Sequence, residues 1–273
     1  MRSICTWLLL STFVLAVPSA NANSLSFGIV PQQSAKKLAR LWTPIFKYLS
    51  KKSGEDIRFS TAQDIPTFEK RLVTGEYDIA YMNPYHYTVF HQVPGYQAVA
   101  RQKDKRIKGI MVVRKDSPLT ELAELNDHKL AFPSPAAFAA SVVPRAKMEL
   151  QGMQFTPQYV SSHDSVYLGV ARGFFPAGGG VMRTFNNTAP EVRDQLRVLW
   201  TTPTYTPHAI AVHPRVSAET VEKLKQALLS MNEDPQGQAL LKTINFKGIE
   251  LAENTDWDDV RELNIKLLDE LLR

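Results

Sequence analysis

The side chains best suited to binding chemistry stand where a predicted strand gives way to a predicted helix. Residues 162–165 (SHDS) form one such junction, and a histidine beside a helix N-terminus can donate a hydrogen bond to an anion. Helix N-termini also offer unpaired backbone N–H groups and the positive end of the helix dipole. We therefore expect His163 to contact a bound anion and the backbone at Asp164 to complete the contact, although Asp164 or Ser165 could equally cap the helix.

Aromatic side chains around an amide follow another predicted strand. In residues 81–87 (YMNPYHY), Tyr81, Asn83 and Tyr85 could line a pocket and supply stacking area with directed hydrogen bonds. Core packing explains Tyr81 and Tyr87 equally well, and an asparagine before a proline is also typical of a turn.

A third junction is rich in small residues. Residues 132–138 (FPSPAAF) place Ser134, Ala137 and Phe138 where a strand runs into a helix, so a ligand could approach backbone N–H groups closely. Tight packing of an alanine-rich helix is the alternative interpretation. A further loop, 31–34, precedes an amphipathic helix, and Ser34 has the type of a helix cap.

Motifs of enzymes and metalloproteins do not occur in the sequence. It contains no G-x-S-x-G, H-E-x-x-H, phosphate-loop or G-x-G-x-x-G motif. His86 and His91 are five residues apart, which does not place them on one helical face as a metal pair. The run Gly178-Gly179-Gly180 could admit a ligand or, more often, a closely packed element. We expect no enzyme, no metal and no cofactor.

The N-terminus has the features of an export signal. Arg2 precedes an apolar stretch over residues 7–17, and Ala20-Asn21-Ala22 matches a cleavage site. We expect a signal peptide over 1–22, cleavage after Ala22 and a periplasmic product. Cys5 is the only cysteine and lies in the signal, so the mature chain would have no disulfide or thiolate chemistry.

The composition describes an ordinary soluble protein. The 273 residues carry 32 Lys and Arg against 27 Asp and Glu, scattered among one another. This mild positive excess favours a solvated surface over nucleic-acid binding. No later apolar segment is long enough to cross a membrane.

The rest of the chain alternates short strand-like runs with helical periods, which predicts an α/β protein with mostly parallel sheets. Strands are predicted at 24–30, 56–62, 77–82, 96–102, 108–115, 129–133, 155–162, 177–182, 196–202 and 208–213. Helices are predicted at 38–51, 68–74, 136–150, 165–172, 190–195, 217–231, 237–243 and 256–271.

The strands at 108–115 and 208–213 flank a self-contained run of strands and helices. If the chain crosses twice, residues 23–110 and 209–273 form one lobe and residues 111–208 form the other. Ligands of open α/β sheets bind outside the carboxyl ends of the strands, so we expect the site in the cleft between the lobes.

Five segments occur in a particular order along nearly the whole mature chain: FGIVP (27–31), LWTPIFKYL (41–49), GEYDIAYMNP (75–84), VPR (143–145) and SHDSV (162–166). As a set they resemble the phosphate/phosphite/phosphonate (PhnD-like) periplasmic binding proteins of ABC transporters. The resemblance implies a type II fold of two lobes with a hinge of two crossover strands. It also implies capture of a small oxyanion and delivery to a membrane permease.

The differences from that family concern the pocket. Phosphonate binders of the family typically carry Ser-Thr-Ser-Gly where this chain has Ala137-Phe138-Ala139-Ala140, so three hydroxyl donors are missing. His163 matches the family's pocket histidine. Arg183 and His208 lie near positions where binders of aminophosphonates carry acids, and a basic pair there would favour a plain anion over an amine.

The resemblance does not decide which membrane protein the closed protein binds. The closed protein, expected as a monomer, could dock on a permease or on a membrane sensor kinase. A quaternary amine boxed by Tyr81, Tyr85, Trp200 and Tyr205 is a further alternative, against which Arg183 argues.

Overall fold

The computed structural model of the chain describes residues 24–272. The predicted signal peptide, the cleavage after Ala22 and Cys5 lie outside the described residues. Within 24–272, no helix combines the length and the apolar character that a bilayer crossing requires.

Every strand that the alternation predicts is present, with ends shifted by a few residues. The strands are β1 (Leu25–Ile29), β2 (Ile57–Ser60), β3 (Ile79–Met82), β4 (Gln97–Gln102), β5 (Gly109–Arg114), β6 (His128–Phe132), β7 (Phe155–Tyr159), β8 (Ala177–Val181), β9 (Leu196–Thr201), β10 (Ala209–Val212) and β11 (Ile249–Leu251). The short β11 has no counterpart among the predictions.

The α-helices are α1 (Ala35–Ser53), α2 (Ile65–Val73), α3 (Pro84–Phe90), α4 (Val143–Leu150), α5 (His163–Ala171), α6 (Met182–Asn186), α7 (Pro190–Arg193), α8 (Ala218–Ser230), α9 (Pro235–Thr243) and α10 (Asp258–Arg261). A π-helical turn over Phe138–Val142 leads into α4, and 3₁₀ turns cover Leu122–Leu125, Asn254–Trp257 and Asp269–Leu272.

The strands form two sheets, and both are mixed. The first has the order β11-β4-β10-β3-β1-β2 and the second β7-β6-β8-β5-β9. Parallel pairing is confined to β1 with its two neighbours and β6 with its two neighbours. The parallel share is therefore smaller than the alternation predicts. The reason is topological. Strands β5 and β10 each begin beside the carboxyl ends of the parallel strands, so they run antiparallel to them.

The chain passes between the sheets twice, through the segments 103–108 and 202–208. The two segments pair through reciprocal backbone hydrogen bonds between Ile107 and Tyr205, at 2.9 and 2.8 Å. The predicted crossover strands 108–115 and 208–213 lie inside the sheets, next to these segments. The lobe boundaries at 110/111 and 208/209 stay a prediction, and the run β5–β9 between the two crossings supports them.

Helix α1 covers the first sheet and holds the aromatic side chains behind the site. The Ser34 side chain caps its N-terminus, and Gly54, with a φ of 77°, ends it in the left-handed conformation that glycine adopts readily. Trp42 of this helix packs 5.1 Å from the ring of Tyr81. The orientation of Tyr81 is therefore set by the core.

Besides β11, three helices differ from the sequence prediction: α6 was not predicted, and the C-terminal helix and α3 differ as follows. The helix expected over 256–271 is broken into short turns, because Asn264 has a φ of 48° and the Leu268 amide donates to the Tyr85 hydroxyl at 3.0 Å. Helix α3 was missed because all seven of its residues are buried. Without an exposed face it has no amphipathic period to detect.

Candidate functional site

A cavity of about 430 Å³ lies between the two sheets, at the carboxyl ends of the parallel strands of both sheets. The loops after β1 and β3 line one side of it. The π-helical turn, the start of α5 and the start of α6 line the other side, and the segment 105–108 borders it. Loops from several strand ends converge here, as expected for ligand sites of open α/β folds.

Arg183 and Gln32 connect the two sides of the cavity. The Arg183 guanidinium Nη2 donates to Oε1 of Gln32 at 2.5 Å, and Nε2 of Gln32 lies 3.1 Å from Nε2 of His208. Arginine has only donors, so this bond identifies the Gln32 oxygen and leaves its amide N–H groups facing His208. The His208 Nε2 must then be an unprotonated acceptor.

The surroundings of His208 agree with a neutral ring. Burial, followed by the Arg183 charge, holds the pKa of His208 well below its ordinary value. The Tyr81 ring stacks on the imidazole at 4.9 Å with an interplanar angle of 18°. Burial also raises the pKa of Tyr81 to about 12, so its hydroxyl stays neutral. These two rings form an uncharged wall.

His163 is the first residue of α5, and the Ser162 side chain caps that helix through the Ser165 amide at 3.1 Å. Nδ1 of His163 lies 3.2 Å from the Thr184 hydroxyl, which in turn lies 2.8 Å from the Tyr167 hydroxyl. Burial and the Arg183 charge lower the pKa of His163 to about 4. The ring is therefore neutral at pH 7. The Thr184 hydroxyl has one proton, and its oxygen also lies 3.0 Å from the Val181 carbonyl, which can only accept. If Thr184 donates to Nδ1, the ring proton of His163 is on Nε2 and available as a donor; if it donates to Val181, Nδ1 carries the proton.

Asn83 uses both ends of its amide within the protein. Its Oδ1 accepts from the His86 amide at 2.8 Å and so caps α3. Its Nδ2 donates to the Ala136 carbonyl at 3.1 Å, in the loop that follows β6 of the second sheet. Asn83 lines the cavity, but its hydrogen bonds position the facing loop.

The π-helical turn brings alanines and Phe138 to the cavity where the resembling family has hydroxyls. The turn packs directly on the second sheet: a Cβ at Gly109 would lie 1.8 Å from the Ala139 carbonyl, and one at Gly179 would lie 1.9 Å from the Ala140 carbonyl. Close packing therefore explains the glycines at 109 and 179. Phe138 packs edge-on against Tyr205 at 5.5 Å.

The charge around the cavity has one sign. Lys105, Arg106, Lys108 and Arg183 line it, and within residues 24–272 no aspartate or glutamate does. Arg183 makes no ion pair in the described part of the chain. An isolated positive site of this kind attracts anions and disfavours amines.

The structure brings most of the predicted site residues together. The residues of the prediction that line the cavity are Tyr81, Asn83, Ala137, Phe138, His163, Arg183 and His208.

Three predicted residues lie elsewhere. Tyr85 is buried behind the site and accepts the Leu268 amide. Ser134 is buried with no hydrogen-bond partner for its hydroxyl, and Asp164 is exposed on α5. Tyr85 and Asp164 lie on helices, where successive residues point in different directions, so a neighbour of a lining residue turns away from the cavity. Ser134 lies in the loop between β6 and the π-helical turn.

The aromatic box proposed for a quaternary amine is not formed. Of its four members only Tyr81 lines the cavity. Trp200 packs against the core of the second sheet, and Tyr85 against the C-terminal segment.

Sequence reasoning missed several lining residues, above all Gln32, Lys105 and Lys108. Gln32 belongs to the loop 31–34, which the sequence marked as a strand-to-helix junction, but nothing distinguished it from Gln33. No cluster of three or more histidine, cysteine, aspartate or glutamate side chains able to hold a metal occurs among residues 24–272.

The sequence over residues 27–257 matches the family described as "ABC transporter, phosphonate, periplasmic substrate-binding protein". The phosphonates-binding periplasmic protein of Escherichia coli (strain K12) is 22% identical over 88% of this chain and 75% of its own. The phosphate-import protein PhnD of Mycolicibacterium smegmatis is 21% identical over 74% of this chain and 70% of its own.

Among solved structures, PhnD1 of Prochlorococcus marinus (MIT 9301), in complex with methylphosphonate, superposes with a TM-score of 0.79. It is 20% identical, and the match covers 90% of this chain and 99% of that one. This likeness confirms the predicted α/β fold class of the periplasmic binding proteins.

Proposed function

The chain belongs to the family of phosphonate periplasmic substrate-binding proteins of ABC transporters, and from that premise we propose that it captures a small oxyanion between its two sheets. Phosphate, phosphite and the phosphonates are the ligands in question. Delivery to an ABC permease completes the proposed role.

The family membership confirms the resemblance found in the sequence. It also confirms that the protein is a solute-binding transport protein and not an enzyme, and that it is exported to the periplasm. Cleavage after Ala22 and a monomeric state remain part of the proposal.

The single observation that carries the proposal is the charge of the cavity. Arg183 supplies a guanidinium with five N–H donors, of which Gln32 accepts one. No carboxylate among the described residues lines the same space. Burying an oxyanion without hydrogen bonds costs several kcal/mol, so a site for one needs both the positive charge and the donors found here.

The neutral histidine provides a directed donor beside the arginine. In the tautomer in which Thr184 donates to Nδ1 rather than to the Val181 carbonyl, the Nε2–H of His163 donates to a ligand oxygen without adding charge. Backbone N–H groups of Ala139 and Ala140, in the first turn of the π-helical segment, replace part of the missing hydroxyls. The names of the relatives from E. coli and M. smegmatis support phosphonate or phosphate as the ligand.

We place the closing motion in the two segments 103–108 and 202–208. They are the two passages of the chain between the sheets, and one pair of backbone hydrogen bonds joins them. Two contacts join the two sides of the cavity in this structure: Arg183 donates to Gln32, and Asn83 donates to Ala136. We infer that opening breaks both contacts and that closure forms them again.

A thermal-shift screen tests the proposed ligand class. At about 100 times its dissociation constant a ligand stabilises the folded state by about 2.7 kcal/mol, or roughly 5–10 °C for a chain of this size. We expect this shift for at least one of phosphate, phosphite and methylphosphonate, and its loss in Arg183→Met. A shift with choline and none with any oxyanion would overturn the proposal.

Pull-down tests the permease as the partner. The ligand-saturated protein, immobilised, should retain an ABC permease from a detergent extract of host membranes, and the ligand-free protein should retain less. Retention of a membrane sensor kinase in place of the permease would refute the transport role while leaving the ligand class intact.

A further inference from the structure

The segment 103–108 (KDKRIK), one of the two passages between the sheets, brings cations to the rim of the cavity. Lys105, Arg106 and Lys108 all line it. Arg106 is occupied, because its Nη2 pairs with Asp259 Oδ2 at 2.7 Å. Lys105 and Lys108 form no ion pair with any described residue. Their charges are uncompensated and border the ligand space.

Lys105 is also repelled by the other cations of the site. The pKa of Lys105 lies below its ordinary value, first because of partial burial and then because of the charges of Arg183, Lys247 and Lys108. Positive groups, from the half-buried Arg183 to the exposed Lys108, thus share one cavity that no acid lines among the residues that the structure describes. A second negative group would relieve this repulsion.

The cavity is larger than a single oxyanion requires. Its 430 Å³ corresponds to about fourteen water volumes in the liquid. A phosphonate head held by Arg183 and His163 would fill only the inner part. Lys105 and Lys108 line the same cavity and would border the space that the head group leaves free.

We propose that Lys105 and Lys108 form a second anion subsite, and that the preferred ligand is a phosphonate or phosphate ester with a further negative group. This proposal rests on the proposed function, since the first anionic group must be held at Arg183 and His163. The lysines are exposed, so the second contact selects among ligands and adds moderate affinity.

Isothermal titration with three phosphonates of similar length isolates the second group. The ligands are 3-phosphonopropionate with an anionic end, propylphosphonate with a neutral end and 2-aminoethylphosphonate with a cationic end. We expect 3-phosphonopropionate to bind about tenfold more tightly than propylphosphonate, and 2-aminoethylphosphonate to bind most weakly. The advantage of the anionic end should shrink at high salt.

Two double variants of the lysines and one matched control assign the preference to them. Lys105→Ala/Lys108→Ala should weaken 3-phosphonopropionate more than propylphosphonate, so that the ratio of the two affinities falls from about ten to about one. Lys51→Ala/Lys129→Ala, which removes the same charge from exposed positions outside the cavity, should retain the advantage. Lys105→Glu/Lys108→Glu should reverse the order, so that 2-aminoethylphosphonate binds more tightly than 3-phosphonopropionate.

Equal binding of the anionic and neutral ligands by the wild type would overturn the second subsite and leave the proposed function standing. Equal weakening of all three ligands in Lys105→Ala/Lys108→Ala would also overturn it, because the lysines would then act only on the general field of the site. Failure of every oxyanion to bind the wild type would instead refute the proposed function itself.

Discussion

The guanidinium of Arg183, on the side of the second sheet, donates a 2.5 Å hydrogen bond to the side-chain oxygen of Gln32, on the side of the first. This bond determines the orientation of the Gln32 amide, which then donates to His208 at 3.1 Å. The only charged group of the three is the arginine. The proposed anion site thus has the positive charge of Arg183, and the hydrogen bonds through Gln32 to His208 orient the side chains around it.

Gln32→Ala should weaken oxyanion binding about tenfold, because Arg183 loses the acceptor that orients it and His208 loses its donor. Titration calorimetry with methylphosphonate measures the loss. The matched control is Gln33→Ala on the same loop, which should bind within about twofold of the wild type. Equal effects of the two substitutions would contradict the role assigned to Gln32.

The ligand-free protein should become less stable as the pH is lowered, partly because of His163. The folded pKa is about 4 against an ordinary 6.5, so between these values the unfolded chain binds a proton that the folded chain does not. Stability contributed at pH 7 is therefore lost as the pH falls, by about 2 kcal/mol for this residue between pH 7 and pH 5.

Urea unfolding of the wild type and of His163→Gln at pH 7 and pH 5 measures this contribution. The variant should lose less stability than the wild type, since glutamine does not titrate. Equal losses would mean that His163 is not held neutral in the folded protein. Buried His208, whose pKa is lowered in the same direction, should add to the acid sensitivity of both proteins.

Asn83→Asp should retain the cap of α3 and lose ligand binding. An aspartate can accept the His86 amide as Asn83 does, but it cannot donate to the Ala136 carbonyl, and it adds a negative charge to a cavity lined by cations. We expect affinity for methylphosphonate to fall more than tenfold.

Asn83→Ser separates the two causes, because serine caps the helix without the charge. It should bind more tightly than Asn83→Asp and more weakly than the wild type. Wild-type affinity in the aspartate variant would show that the cavity does not receive an anion near Asn83.

Ala137→Ser/Ala139→Ser should strengthen binding of methylphosphonate by about five- to tenfold. The substitutions add hydroxyl donors where alanines line the cavity, and each new hydrogen bond to a charged oxygen is worth about 1 kcal/mol or more. Ala98→Ser, outside the cavity, is the control and should have no effect. Unchanged affinity in the double variant would mean that the ligand does not contact this turn.

The sequence located the strands and the junctions of the site, because short apolar runs and helix caps are local features. Tyr81, His163 and Ala137 lie at such junctions, and all three line the cavity. Gln32 and Lys105 could not be singled out, because their role depends on which residues the fold brings opposite them. Arg183, which contacts Gln32, is distant in the chain, and Lys105 is an exposed lysine like many others.

The sequence also could not show which side chains of each junction face the cavity and which face the core. Ser134 and Tyr85 lie two to three residues from lining positions, but their side chains enter the core. The buried helix α3 gave no periodic pattern from which the direction of Tyr85 could be inferred.

Titration calorimetry of the wild type and of Arg183→Met with methylphosphonate tests the central claim most directly. The account predicts one binding site per chain in the wild type, affinity at least tenfold weaker in the variant, and recovery of the phosphonate unchanged after release. Equal affinity in the two proteins would contradict the claim that an anion is held between the sheets by Arg183.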